Sequence, residues 1–267
     1  IPLLLCGTEA QKAAYLPRFA AETPPRVTSA LTERRYQFDP RQLATTSTKD
    51  GDQYRLNGSK VYVPLANTAD LMLVYAAENG ETQGFLVPTD AAGLTIGEKD
   101  RLMGIRALPT YEIILEDVTV PASSRVGGEN GINFDLLINH SRVALAACAV
   151  GMAQAACEYT REYTKQRVQF GKPVAQNQSI AFMLADMFSD VESMRMLVWE
   201  AAWMLDQGQE ATRTVTVMKQ YVDEAILRIG DSAVQALGGY GYIREYPAEL
   251  YLRNARGFTT FDGIVTV

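Results

Sequence analysis

The sequence predicts an α+β multidomain protein in which a short helical lead is followed by an antiparallel β domain and then by a long helical region. Three observations carry this. Between residues 27 and 125, short β-branched and aromatic runs alternate with turn residues. Glycine follows Asp50, Asn57 and Asn79 between such runs, which is the strongest short-range signal for a hairpin. From about residue 132 onward the apolar residues recur at steps of three and four, the period of a helix face.

The elements follow in order. Residues 8–22 open with Thr8 and place Gln11 three positions on, a capping box that satisfies free amides at a helix start. One short helix is expected there, with Pro17 bending or ending it, and "TPPR" at 23–26 breaks the pattern. The β domain is expected to hold roughly six to eight short strands, closing at the polar, glycine-rich "VPASSRVGGENG". The alanine-rich segment 142–166 carries Gly151 in its middle, where two helices could approach closely. Segment 178–206 puts Ile180, Leu184, Met187, Val191, Met194, Val198 and Leu205 on one face, with Ala201 and Ala202 filling the last interval. Its methionines read as adaptable core fillers. Segment 210–237 repeats the pattern and stops at Gly238-Gly239, where a left-handed cap is expected. A last helix runs from Pro247 to Gly257.

Composition bounds the chemistry. The 267 residues, 47% hydrophobic and 21% charged, suffice for a well-buried core or two packed subdomains. A formal charge of −6 disfavours nucleic acid, whose backbone is bound through clustered Lys and Arg. Cys6, Cys148, Cys157 and the sole histidine, His140, have no metal-ligand spacing, so a metal site is not expected and the thiols read as core residues in a reducing compartment. The start "IPLLLCGTEAQ" has no basic region and too short an apolar run for a signal peptide, and it lacks an initiator Met, so the chain looks cut. No membrane span is expected.

One histidine is a thin basis for a nucleophilic triad, and neither a G-x-S-x-G elbow nor a dinucleotide-binding βαβ unit is present. Two basic, aromatic-bearing segments remain. In "YTKQRVQFGKP" at 163–173, Lys165 and Arg167 either compensate the dipole of a helix ending at Phe170-Gly171 or clamp an anionic cofactor. In "QALGGYGYIREYP" at 235–247, the glycines either connect two helices or expose backbone N–H groups to a ligand.

Taken together, "YTKQRVQFGKPVAQNQ" and "QALGGYGYIREYPAELYLRNA" resemble the acyl-CoA dehydrogenase flavoprotein family, whose motifs read "YxxxRxQFGKPxxxxQ" and "QxLGGYGYxxEYPxExxxRxA". The likeness extends through "GTEAQKAAYLP", "ALTE", "DGDQYRLNGSK", "LMGIRALPTYEIILEDVTVP" and "SRVALAACAVGMAQAA". It implies a remnant of an N-terminal helical domain at 1–23, a central β domain at 24–128 and a C-terminal four-helix bundle at 129–267.

The resemblance further implies FAD bound between β domain and bundle, with a neighbouring subunit completing the site in a homodimer or homotetramer. Arg167, Gln169 and Phe170 match residues that hold the diphosphate and adenosine end, and Gln235 and Gly239 belong to the same region. Thr32 matches a contact to the flavin ring, Tyr62 an aromatic residue flanking it, and Arg142 an arginine near the thioester and the catalytic base. The implied reaction is α,β-dehydrogenation of an acyl-CoA: a carboxylate takes the α-proton, the β-hydrogen leaves as hydride to flavin N5, and electrons pass to an electron-transfer flavoprotein. The implied setting is the cytoplasm, or the mitochondrial matrix in a eukaryote.

The base is commonly Glu in "YEGT", and Asp262 in "FDGI" takes that place; the alternative position, one before Arg142, is Ser141. The family's "TEPGAGSD" is here "TERRYQFD" and its "WITN" is "YVPL". These departures motivate an alternative, a catalytically degenerate subunit that completes a flavin site in a hetero-oligomer with a paralogue.

Overall fold

The computed structural model describes residues 1–261, which fall into two compact units. One comprises Ile1–Arg101 with Ala107–Ile138; the other comprises Leu102–Arg106 with the helical region from Asn139 on.

The first unit opens with two helices, α1 (Pro2–Cys6) and α2 (Glu9–Phe19). The capping box is formed in both directions: Gln11 N donates to Thr8 Oγ1 at 3.1 Å and Thr8 N to Gln11 Oε1 at 3.0 Å. The same Gln11 donates to the carbonyls of Ser123 and Arg125 and accepts from Gly127 N, stitching α2 onto the end of the β region. Pro17 does not end α2: it lies inside the last turn, leaving the Ala13 carbonyl without an N–H donor at position 17, and the helix continues two residues further to Phe19.

Seven strands make one sheet: β1 (Val27–Ala30), β2 (Thr46–Asp50), β3 (Gln53–Pro64), β4 (Leu71–Glu78), β5 (Glu81–Pro88), β6 (Leu94–Lys99) and β7 (Thr110–Pro121). The pairings β2–β3, β3–β7, β4–β5 and β6–β7 are antiparallel, as expected, but β4 also lies parallel to β1 and meets β2 in parallel, so the sheet is mixed. The long connection from Ala30 to Leu71, with the β2–β3 hairpin inside it, is what permits a parallel partner. Asp50-Gly51 and Asn79-Gly80 form the expected hairpin turns.

Asn57-Gly58 does not form a turn. It lies inside β3 at a register shift: Asn57 exchanges hydrogen bonds with Asp117 across the sheet, and a Cβ on Gly58 would stand 2.7 Å from Thr45 Cα. The extra residue of this bulge lies opposite, in β7, where Asp117 has φ 50°, and Gly58 lets a neighbouring segment approach. Leu56, Met72, Val74, Phe85, Val87, Ile113 and Leu115 fill the core of this unit.

The helical region is built from α3 (Phe134–Gln166), α4 (Gln178–Asp206), α5 (Thr212–Leu237), the single turn α6 (Gly239–Tyr242) and α7 (Ala248–Phe258). The expected face of α4 is buried through Met187, Val191, Met194, Val198 and Ala201, against Val215, Met218, Val222, Ile226 and Ile229 of α5. By length and composition α3 could cross a membrane, but Ala149, Ala153, Ala156 and Cys157 along it belong to this core.

Several expectations for this region are corrected. It is not all helix: α3 stops at Gln166, and β8 (Val168–Gln169) pairs with β9 (Lys172–Pro173). Phe170 and Gly171 both have positive φ, 53° and 80°, the conformation of a two-residue turn matched to strand twist. Gly151 meets no atom of the described chain within 4 Å of a built Cβ, so no close helix approach is made there. Gly257 lies within α7 instead of capping it, leaving room for Ile105, whose Cγ1 would be 2.4 Å from a Cβ. Cys148 is exposed, not core, while burial pushes the Cys157 thiol up to about 12. Gly238, at φ 61° and ψ −134°, ends α5 with positive φ but outside the left-handed helical well.

Candidate functional site

In the helical unit, a cavity of about 600 Å³ gathers the two motif segments: Arg167, Gln169 and Phe170 from the β8–β9 hairpin, and Gln235, Gly239 and Tyr240 from the end of α5 and the turn after it. The local sequence explains the convergence. Gly238 reverses the chain with positive φ, and Gly239 has open space where a Cβ would be, so backbone there is accessible to a ligand. Arg167 leaves the helix and returns its carbonyl to Val174 N, which fixes the base of the hairpin.

The Arg167 guanidinium lies 5.0 Å from the centre of the Tyr240 ring. Tyr240 in turn packs against Tyr246 and Tyr163, with ring centres 5.0 and 6.5 Å away. This stack holds the cation in place without neutralising it, for among the described residues no carboxylate pairs with Arg167. An uncompensated arginine beside exposed glycine backbone suits a phosphate, so the residues present fit the diphosphate end of a dinucleotide. Phe170 is fully exposed at 100%, offering an apolar ring to whatever covers the hairpin.

In the β unit, the segment after β1 carries Thr32, and the far end of β3 carries Tyr62. These two are brought together by the backbone: Val61 N donates to the Thr32 carbonyl at 2.9 Å. Tyr62 has φ 55°, at a second register shift between Lys60 and Val63, a conformation costing a residue with a Cβ about 1–2 kcal/mol. Beneath them is a buried ion pair that the sequence reading missed. Lys60 Nζ donates to Glu33 Oε1 at 2.8 Å and to the Leu31 carbonyl at 3.1 Å, with Lys60 at 0% and Glu33 at 5% exposure. Glu33 also accepts from Ala44 N and Thr45 N. The signal was available: Tyr54, Leu56, Gly58 and Lys60 share the inward parity of β3.

Burial lowers Lys60 to about 8 against the pull of Glu33. Burial alone would raise Glu33, but Lys60 and the two backbone amides outweigh it and hold the carboxyl below its ordinary value. A carboxylate depressed in the fold contributes stability above the unfolded value, near 4.5, and that contribution is lost as pH falls through the lower folded value. The difference in Tm between wild type and Glu33→Gln is therefore expected to narrow as pH is lowered from neutrality past that range. A difference that stays constant contradicts this assignment.

Arg142 lies half-buried on α3 with Ser141 buried beside it. Asp262, expected as the base, lies outside the described residues, and so does Gly263. The "RRYQF" loop is anchored by Arg34 to Glu112 at 3.1 Å and by Arg35 to the Gln42 carbonyl at 2.7 Å. Gln37, at φ 52°, takes a glycine-like conformation where the family motif has its second glycine. Tyr36 is left almost fully exposed.

Two family models match: "Acyl-CoA dehydrogenase, middle domain" over residues 28–118 and "Acyl-CoA dehydrogenase, C-terminal domain" over 134–265. The chain is 36% identical to an acyl-CoA dehydrogenase of Bacillus subtilis (strain 168), over 98% of this chain and 71% of that one. It is 37% identical to the caffeyl-CoA reductase-Etf complex subunit CarC of Acetobacterium woodii, again over 98% and 71%. Among solved structures, butyryl-CoA dehydrogenase from Megasphaera elsdenii superposes with a TM-score of 0.87 at 35% identity, covering 98% of this chain and 70% of that one.

Proposed function

This chain belongs to the acyl-CoA dehydrogenase family, and from that premise we propose that it catalyses FAD-dependent α,β-dehydrogenation of an acyl-CoA thioester. The observation that carries the cofactor is the pocket in which Arg167, stacked on Tyr240 and lacking an acidic partner among the described residues, faces open glycine backbone. When bound, FAD supplies the acceptor for the hydride that leaves the β-carbon.

The roles of the chain's own residues follow from their chemistry. Arg167, Gln169 and Phe170 hold the diphosphate and adenosine end across the dimer interface, and Gln235 and Gly239, which line the same cavity, belong to that binding region. Thr32 and Tyr62 flank the flavin ring. Asp262 accepts the α-proton, and Arg142 stands near the thioester. Removing the α-proton together with the β-hydride leaves the conjugated enoyl thioester. An electron-transfer flavoprotein is the proposed electron acceptor, in keeping with the Etf complex named for the CarC relative. The oligomer is a homodimer or homotetramer.

Arg167→Ala tests the cofactor assignment. Losing a charged hydrogen bond to phosphate is expected to weaken FAD uptake by about 1.5–3 kcal/mol, read by flavin fluorescence titration. Arg167→Lys is expected to restore only part, since an ammonium neither forks to phosphate nor stacks flat on Tyr240. Unchanged affinity in both variants would remove Arg167 from the site. The alternative, a degenerate subunit, is favoured by the altered 34–38 loop and is separated by whether Asp262 variants lose the activity of the assembled complex.

A further inference from the structure

Thr32 and Tyr62 sit on different segments, Thr32 outside any strand and Tyr62 at an irregularity within β3. Tyr62 lies at a bulge with positive φ, which persists only where its surroundings over-determine it. Thr32 lies in the irregular stretch that follows β1.

Among the described residues, three hydrogen bonds of 2.8–3.1 Å tie residues 31–33 to residues 60–61. Lys60 Nζ reaches the Leu31 carbonyl on one side of Thr32 and the Glu33 carboxylate on the other, while Val61 N reaches the Thr32 carbonyl itself. Glu33 then extends the tie to a third segment through Ala44 N at 2.7 Å and Thr45 N at 2.8 Å. Thr45 is buried where Gly58 leaves no room for a Cβ. A salt bridge this deeply buried is weak evidence of added stability, because desolvation of both ions offsets their attraction. Its geometry is informative instead, since it brackets one residue and adjoins the other.

We infer that Lys60 and Glu33 are positioning residues of the flavin site, a buried pair whose task is to clamp the Thr32 segment to the bulge that presents Tyr62. The inference rests on the reading of Thr32 and Tyr62 as flavin contacts. It adds two residues that touch no reacting atom and act through those that do. A fully buried lysine, lowered by desolvation yet retained in a strand of otherwise apolar inward residues, agrees with a role other than packing.

The test is the Glu33→Gln/Lys60→Met double variant of the full chain, which removes both charges together and so leaves no buried ion alone. Amide hydrogen exchange in peptides covering residues 28–36 and 58–64 is expected to rise by about tenfold or more, with helical-region peptides unchanged, and the FAD dissociation constant to rise by about tenfold or more. The visible absorption band of bound FAD is expected to shift as well. Exchange and FAD affinity both within about twofold of wild type would overturn the inference, as would faster exchange with unchanged affinity and spectrum, since the pair would then serve the fold alone. Wild-type protein that takes up no FAD overturns the cofactor reading, and the exchange measurement still decides whether the pair orders the two segments. If the double variant fails to fold, Glu33→Asp keeps both charges while shortening the reach by one methylene, and it is judged on the same readouts.

Discussion

Asp262→Asn is expected to lower acyl-CoA turnover by about 10²–10⁴-fold while leaving FAD uptake unchanged. Asparagine keeps the size of the side chain and removes its capacity to accept a proton, so the loss falls on the proton-transfer step and not on binding. Ser141, at the other position where the family keeps a base, cannot replace it, since a serine hydroxyl is no general base without a partner of its own. Steady-state turnover with the cognate acyl-CoA checks this, and turnover retained within about tenfold of wild type would assign the base elsewhere. Asp262→Glu, which restores the longer acid common in the family, is expected to keep the activity and reports whether reach limits the native residue.

The second large effect concerns stability. Lys60→Met alone is expected to cost about 3–5 kcal/mol, because it strands the buried Glu33 carboxylate with only the Ala44 and Thr45 amides for company. The double variant with Glu33→Gln is expected to recover part of that loss, since the uncompensated charge goes with its partner. Chemical denaturation of wild type, both single variants and the double variant gives the coupling directly. A Lys60→Met cost below about 1 kcal/mol would mean that Glu33 is not held as a buried ion.

Much of the fold was legible because local chemistry and long-range packing agree. Thr8 and Gln11 make the cap their spacing announces, and Asp50-Gly51 and Asn79-Gly80 make their turns. Asn57-Gly58 presents the same local signal and is overruled by partners distant in sequence, Asp117 across the sheet and Thr45 packed against the glycine. The β8–β9 hairpin was hidden for a related reason. Phe170-Gly171 is an uncommon choice for two successive residues of positive φ, and the basic residues before it read equally well as the last turn of a helix.

The site divides in the same way. Arg167, Gln169, Phe170, Gln235 and Gly239 were readable as two motifs, and the fold brings them to one cavity through the turn at Gly238. The Lys60–Glu33 pair was not read. Charged residues in turn-rich segments look solvent-facing unless the parity of β3 is followed past Gly58, opposite which β7 carries the extra residue of a bulge.

The central claim is that this chain binds FAD and transfers to it the hydrogen of an acyl-CoA. Its most direct measurement is anaerobic titration of the FAD-loaded protein with acyl-CoAs of graded length and branching, followed by the flavin's visible absorption. The expected result is bleaching of the oxidised band by at least one acyl-CoA, with formation of the matching enoyl-CoA in equal amount and with no bleaching in Asp262→Asn. A protein that takes up no FAD, or whose bound flavin stays oxidised with every acyl-CoA, would contradict it.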